Sequence, residues 1–69
     1  MAASGNRYNI HYPDGTVERG VTLLGPMKQA GERLILDDRF WMITKAQVAN
    51  FEDQERDVHF EIHIRPAEA

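Results

Sequence analysis

The sequence predicts a small all-β domain: a five-stranded antiparallel barrel or strongly bent sheet, with a short helix or none. Apolar and polar residues alternate without interruption from Val58 to Arg65. Because a strand points successive side chains to opposite faces, a period of two indicates a half-buried strand. Other short apolar runs are separated by turn residues at hairpin spacing, a pattern typical of small barrels. With 69 residues, the chain is long enough for one domain with a thin core.

The first strand alternates up to Tyr12 and is followed by Pro13-Asp14-Gly15, which is typical of a three-residue hairpin loop. The return strand contains Gly20, and a glycine inside a strand often marks a bulge or a bend. Residues 25–31 form a loop that opens with Gly-Pro. The five predicted strands are residues 7–12, 16–24, 32–36, 39–44 and 58–65.

The third and fourth strands are joined by Asp37-Asp38, a tight turn, because aspartate tolerates unusual backbone angles and bonds to its own backbone. The fourth strand is apolar on both faces. We expect one of its faces to lie in the core together with one face of the third strand. The predicted inward residues are Leu34, Leu36, Trp41 and Ile43.

The segment from Lys45 to Phe51 fits either a bulged strand or a short helix, and its β-branched and aromatic neighbours favour a strand. Residues 52–57 are predicted to be a charged loop without an apolar anchor. A single domain is expected over residues 7–65, between an N-terminal tail of residues 1–6 and a C-terminal tail of residues 66–69.

Composition excludes several classes of site. The chain has no cysteine, so disulfides, thiolate zinc sites and cysteine nucleophiles are excluded. The N-terminal residues lack a secretory pattern, and no apolar run is long enough to cross a membrane. We therefore expect a cytoplasmic protein without a membrane partner. The net charge is −3 without a cluster of Lys and Arg, which disfavours nucleic acid as a partner.

The hairpin from Gly31 to Ile43 has a glycine, a charged pair, an apolar-x-apolar strand, an acidic turn and Trp-x-apolar. This arrangement resembles the middle hairpin of Src-homology-3-like small β-barrels. The resemblance implies a barrel fold. Peptide-binding members of that group bind proline-rich ligands with surface aromatics and an acidic loop, but none of those positions is carried over to this chain.

His59, Glu61 and His63 share one face of the last predicted strand. Imidazole and carboxylate groups are metal ligands, so these residues form a candidate metal or small-ligand site. Three ligands along one flat strand splay apart, so a neighbouring strand has to contribute, and His11 is in place if the first and last strands pair. The alternative is a set of solvated side chains, and no cofactor is expected. An interface on this face would change with pH between about 5 and 8, where imidazole titrates.

Phe40 and Met42 are predicted to point away from the core, because Trp41 and Ile43 point into it. Exposed apolar side chains mark contact surfaces, and an edge strand can accept another strand. We therefore expect a non-catalytic protein-interaction or assembly module whose partner is another protein or a second copy of the chain. The chain has no nucleophile elbow or glycine-rich phosphate loop. Two alternatives stay open: the metal or small-ligand domain, and a weak nucleic-acid-binding barrel.

Overall fold

A computed structural model describes residues 5–67. It has five strands and one short helix, in agreement with the predicted all-β class. The elements are β1 (Gly5–His11), β2 (Val17–Leu24), β3 (Arg33–Leu36), β4 (Arg39–Val48), α1 (Phe51–Glu55) and β5 (Phe60–Pro66). Residues 1–4 and 68–69 of the two expected tails lie outside the described residues, whereas Gly5, Asn6 and Pro66 belong to strands.

The five strands form one sheet in the order β2-β1-β5-β4-β3, which curls into a half-barrel. Neighbouring strands are antiparallel except β1 and β5, which pair in parallel from Tyr8 opposite Phe60 to His11 opposite His63. The prediction of a purely antiparallel sheet was therefore wrong for this pair. Alternation of side chains predicts a strand and its faces, but it does not specify the direction of the neighbour.

The core lies on one face of the curved sheet, called here the inner face. Tyr8, Ile10 and Ile62 are completely buried, and the ring of Tyr12 meets that of Trp41 edge-on at 5.4 Å. The predicted inward positions are confirmed for the hairpin of β3 and β4, with Leu36 half-buried at the margin. The buried core residues are Tyr8, Ile10, Leu34, Trp41, Ile43, Ile62 and Ile64.

Both predicted hairpin turns are present. The backbone N–H of Gly15 donates to the carbonyl of Tyr12 (3.0 Å), and Gly15 has φ +93°, which is the left-handed position that this loop requires. Asp37 and Asp38 have φ of 53° and 61°. Two successive positive values are typical of the two-residue turn whose twist matches that of the flanking strands.

Two bulges bend the sheet. Between Tyr8 and Ile10 of β1, the single residue Asn9 lies opposite Arg19 and Gly20 of β2, so the predicted bulge at Gly20 is confirmed. The second bulge is in β4, where Thr44 is the extra residue between Ile43 and Lys45. A bulge increases local twist, which helps the sheet to curl around its core.

The helix α1 corrects the prediction of a charged loop at residues 52–57. The preferred strand assignment for Lys45 to Phe51 is confirmed only as far as Val48, where β4 ends. The side chain of Asn50 then caps α1 by accepting from the backbone N–H of Asp53 (2.9 Å). A buried hydrogen bond from Asn9 to Asp53 (3.0 Å) holds the helix on the sheet. Because this anchor is polar, the apolar pattern of the sequence gives no sign of it.

The last strand begins at Phe60, two residues later than predicted. Val58 is buried, but its N–H donates to the carbonyl of Asp53 (2.9 Å), so it belongs to the end of the helical segment. His59 is exposed and lies just before β5. Within residues 5–67, no helix has the length and apolar character needed to cross a membrane.

Candidate functional site

The sheet face opposite the core, called here the outer face, carries apolar residues at its β3 end. Ile35 of β3 lies directly opposite Phe40 of β4, and Met42 follows two residues later on the same face. Ile35 is 63% exposed and Phe40 is 53% exposed, whereas Met42 is half-buried. These three residues are called the β3–β4 patch below. The outward orientation predicted for Phe40 and Met42 is thus found in the structure, and Ile35 adds to it.

Two arginines flank Met42 across three strands. Arg33 of β3 and Arg65 of β5 are both its register partners, and both are exposed. The guanidinium Nη2 of Arg65 lies 3.8 Å from the sulfur of Met42. Together with Pro66 and Ala67, these residues line an open depression of about 440 Å³. Among residues 5–67, no carboxylate lines the depression, so its charged lining consists of the two arginines on either side of Met42.

Among residues 5–67, no strand pairs with β3 on the side away from β4. In an antiparallel pair, residues that exchange hydrogen bonds alternate with residues whose N–H and C=O groups point outward. The two-residue turn after Leu36 makes Leu36 and Leu34 the bonded positions. Arg33 and Ile35 therefore direct their backbone groups toward the edge, where the described residues place no further strand.

A second polar cluster lies at the centre of the outer face, where β1 pairs with β5. A hydrogen bond of 2.8 Å joins His11 Nε2 to Glu61 Oε1. The rings of His11 and His63 stack at 4.2 Å with an angle of 8° between their planes. Burial lowers the pKa of His63 below its usual value of 6.5, and the nearby His11 and Lys45 lower it further, partly opposed by Glu61.

This cluster contains two of the three candidate metal ligands but not the third. His59 lies before β5, with its ring 6.2 Å from that of Phe60, and its place beside Glu61 is taken by His11. Within residues 5–67, no group of three His, Cys, Asp or Glu side chains is arranged to hold a metal ion. Binding through His59, Glu61 and His63 therefore stays a prediction. The nitrogen lone pairs of His11 and His63 lie in two nearly parallel ring planes, which does not favour their meeting at one point.

The sequence analysis does not identify Arg33, Ile35 or Arg65 as site residues, although alternation puts all three on the strand faces opposite the core. Alternation puts Arg65 on the polar face of the last strand, but the register partners of Met42 become visible only when the order of the strands is known. No protein-family model matches the chain, and no significant match was found among curated proteins or solved structures. Its function is therefore inferred from its own residues.

Proposed function

We propose that this chain is a small, non-catalytic, cytoplasmic protein-interaction module of the Src-homology-3-like type. In this proposal, an extended segment of another protein adds to the free edge of β3 and covers the β3–β4 patch. The observation that carries the proposal is the free edge beside the exposed pair Ile35 and Phe40. Hydrogen bonds along the edge would supply affinity, and the side-chain patch would supply specificity.

The other edge of the sheet is less suited to strand addition. β2 is interrupted by the bulge at Gly20, and bulges twist an edge away from a partner strand. β3 pairs with β4 in unbroken register over its four residues. Leu24, at the end of β2, is as exposed as Ile35 at 63%, but it lacks a regular edge beside it. This makes Leu24 a useful control position.

A second copy of the chain fits the β3 edge less well than a different protein. Symmetric pairing of two β3 edges would place Arg33 of both copies on the same outer face of two neighbouring strands. Like charges on neighbouring strands are destabilising. The metal-binding alternative has less support, because His59 lies apart from the cluster of Glu61 and His63.

The test is selection of extended peptides from a displayed random library on the wild-type protein and on two matched variants. Ile35→Lys places a charge in the β3–β4 patch, and Leu24→Lys places the same charge at an equally exposed position on the opposite edge. We expect peptides selected on the wild type to bind Leu24→Lys with unchanged affinity and to lose affinity for Ile35→Lys. Equal binding to both variants, or no selected peptide at all, contradicts the proposal.

Comparison of Ile35→Pro with Ile35→Ala separates edge pairing from side-chain contact, because both variants lose the Ile35 side chain and only proline also loses the backbone N–H. Ile35→Pro removes an N–H that points away from β4, so the hairpin keeps its own hydrogen bonds. We expect this variant to fold, as judged by its thermal unfolding, and to bind the selected peptides more weakly than Ile35→Ala does. Equal affinity of the proline and alanine variants would show that the peptide lies on the side chains without pairing. Analytical ultracentrifugation of the wild type reports dimers, which would replace the proposed partner by a second copy.

A further inference from the structure

We infer that the segment bound along β3 is acidic: its carboxylates contact Arg33 and enter the depression between Arg33 and Arg65 above Met42. This inference rests on the proposed function and names the chemistry of the partner. The β3–β4 patch alone would accept any apolar strand, so the acidic character is an additional property of the bound segment.

Two arginine side chains lie on either side of Met42. Arg33, Met42 and Arg65 lie side by side on β3, β4 and β5. Neighbouring strands are about 4.8 Å apart, so the two arginine backbones are separated by about 10 Å. Each arginine side chain is long enough to reach over Met42, and the contact of Arg65 with the Met42 sulfur shows one of them doing so. The planar fork of a guanidinium matches a carboxylate with two parallel hydrogen bonds.

The charge around the depression is positive although the whole chain has a net charge of −3. The five described residues that line it include two arginines and no carboxylate. Glu61, on the same face of β5, is hydrogen-bonded to His11, and the carboxylate of Glu32, just before β3, accepts from the backbone N–H of Gln29. Within the part of the chain that the structure describes, neither arginine is therefore paired with a carboxylate, and complementary charge would favour an acidic segment over a basic one.

The position of the depression also predicts where the acidic residues lie in the partner. β3 offers only four residues for pairing, so the partner chain leaves the edge soon after it has paired. Side chains in the paired stretch lie beside Arg33 and Ile35, two positions apart on one face. Residues that follow the pairing can cross the outer face over Met42 toward Arg65. A short apolar stretch with acidic residues at its ends fits both requirements.

The experiment uses three synthetic peptides with the same alternating valine–threonine centre and with glutamate, glutamine or lysine at both ends. Affinities are measured for the wild type, Arg33→Gln, Arg65→Gln and Arg56→Gln. Arg56→Gln removes the same charge from the turn after α1, away from the depression. We expect the glutamate peptide to bind wild type at least about tenfold more tightly than the glutamine peptide, as for hydrogen bonds to charged groups. That advantage should shrink as salt is added.

The variants decide between a specific contact and a general charge effect. Arg33→Gln and Arg65→Gln should each reduce the advantage of the glutamate peptide, and Arg56→Gln should preserve it. If the glutamate and glutamine peptides bind equally and both are lost in Ile35→Pro, the interaction module stands and the acidic partner is refuted. If no peptide binds, the proposed function itself fails. Binding of a single-stranded oligonucleotide that depends on Arg33 and Arg65, without binding of the glutamate peptide, would also overturn the inference.

Discussion

The hydrogen bond from Asn9 to Asp53 is expected to hold α1, the one helix among the described residues, on the sheet of this small domain. Asn9 is 1% exposed and Asp53 is 7% exposed, and Nδ2 of Asn9 donates to Oδ2 of Asp53 at 3.0 Å. A five-residue helix has no stability of its own in water. The substitution Asp53→Ala removes the acceptor and leaves the buried amide of Asn9 without it.

The cost follows from the charge and burial of the pair. A hydrogen bond to a charged group contributes about 1.5–3 kcal/mol. The ion pair of Asp53 with Arg19, at 3.6 Å, adds little, since the Arg19 side chain is 67% exposed. We therefore expect Asp53→Ala to lower the free energy of unfolding by about 2 kcal/mol, and the melting temperature by about 8–16 °C for a domain of this size.

Urea unfolding followed by fluorescence measures this change, because Trp41 is the single tryptophan of the chain and lies in the core. Glu55→Ala is the matched control: it removes an exposed carboxylate from the same helix. Asp53→Asn keeps an oxygen acceptor and should fall between the two. A difference between Asp53→Ala and Glu55→Ala of less than about 0.5 kcal/mol, the usual range of surface substitutions, would refute the assignment of this bond as the anchor of α1.

Three further predictions concern the backbone and the titrating groups. Gly20→Ala should lower the free energy of unfolding by about 1–2 kcal/mol, because Gly20 has φ +68°; an unchanged melting temperature would contradict it. Burial, and then His11, lowers the pKa of His63, so the folded state binds the proton less tightly than the unfolded state. Stability should therefore fall as pH drops below about 6.5. A plot of the urea unfolding midpoint against pH should be flatter in this range for His63→Asn than for the wild type, and an unchanged slope in the variant would contradict the prediction. Burial, and then the hydrogen bond to Glu18, raises the pKa of Tyr12 to about 12, so stability should fall as pH rises above about 10. Ultraviolet titration should show Tyr12 ionising at lower pH in Glu18→Gln, and an identical titration curve would be evidence against the assigned cause.

The parts of the fold that depend on local chemistry were predictable from the sequence. Alternation placed Trp41 in the core and Phe40 outside it, because the period of two is a property of any strand. Gly20 and Asp37-Asp38 marked a bulge and a tight turn, since these residues accept backbone angles that most others avoid. Each of these features is encoded within a few neighbouring residues.

The parts that depend on distant residues were not predictable in this way. The parallel pairing of β5 with β1 joins two strands from opposite ends of the described chain, and α1 is held by a polar contact between Asn9 of β1 and Asp53. The candidate site also depends on residues that are distant in the sequence. Phe40 and Met42 followed from alternation, whereas the contributions of Arg33 and Arg65 required the strand order.

The parallel pairing of β1 with β5 also determines how the domain would respond to a pulling force. A force applied between residue 5 and residue 67 would draw the two strands past each other along their length. All the hydrogen bonds between them would then carry the load together, in shear, rather than opening one after another as in an unzipped hairpin. The two strands lie next to each other inside the sheet, between β2 and β4. Tension along the chain would therefore meet its greatest resistance along the whole paired stretch, from Tyr8 opposite Phe60 to His11 opposite His63.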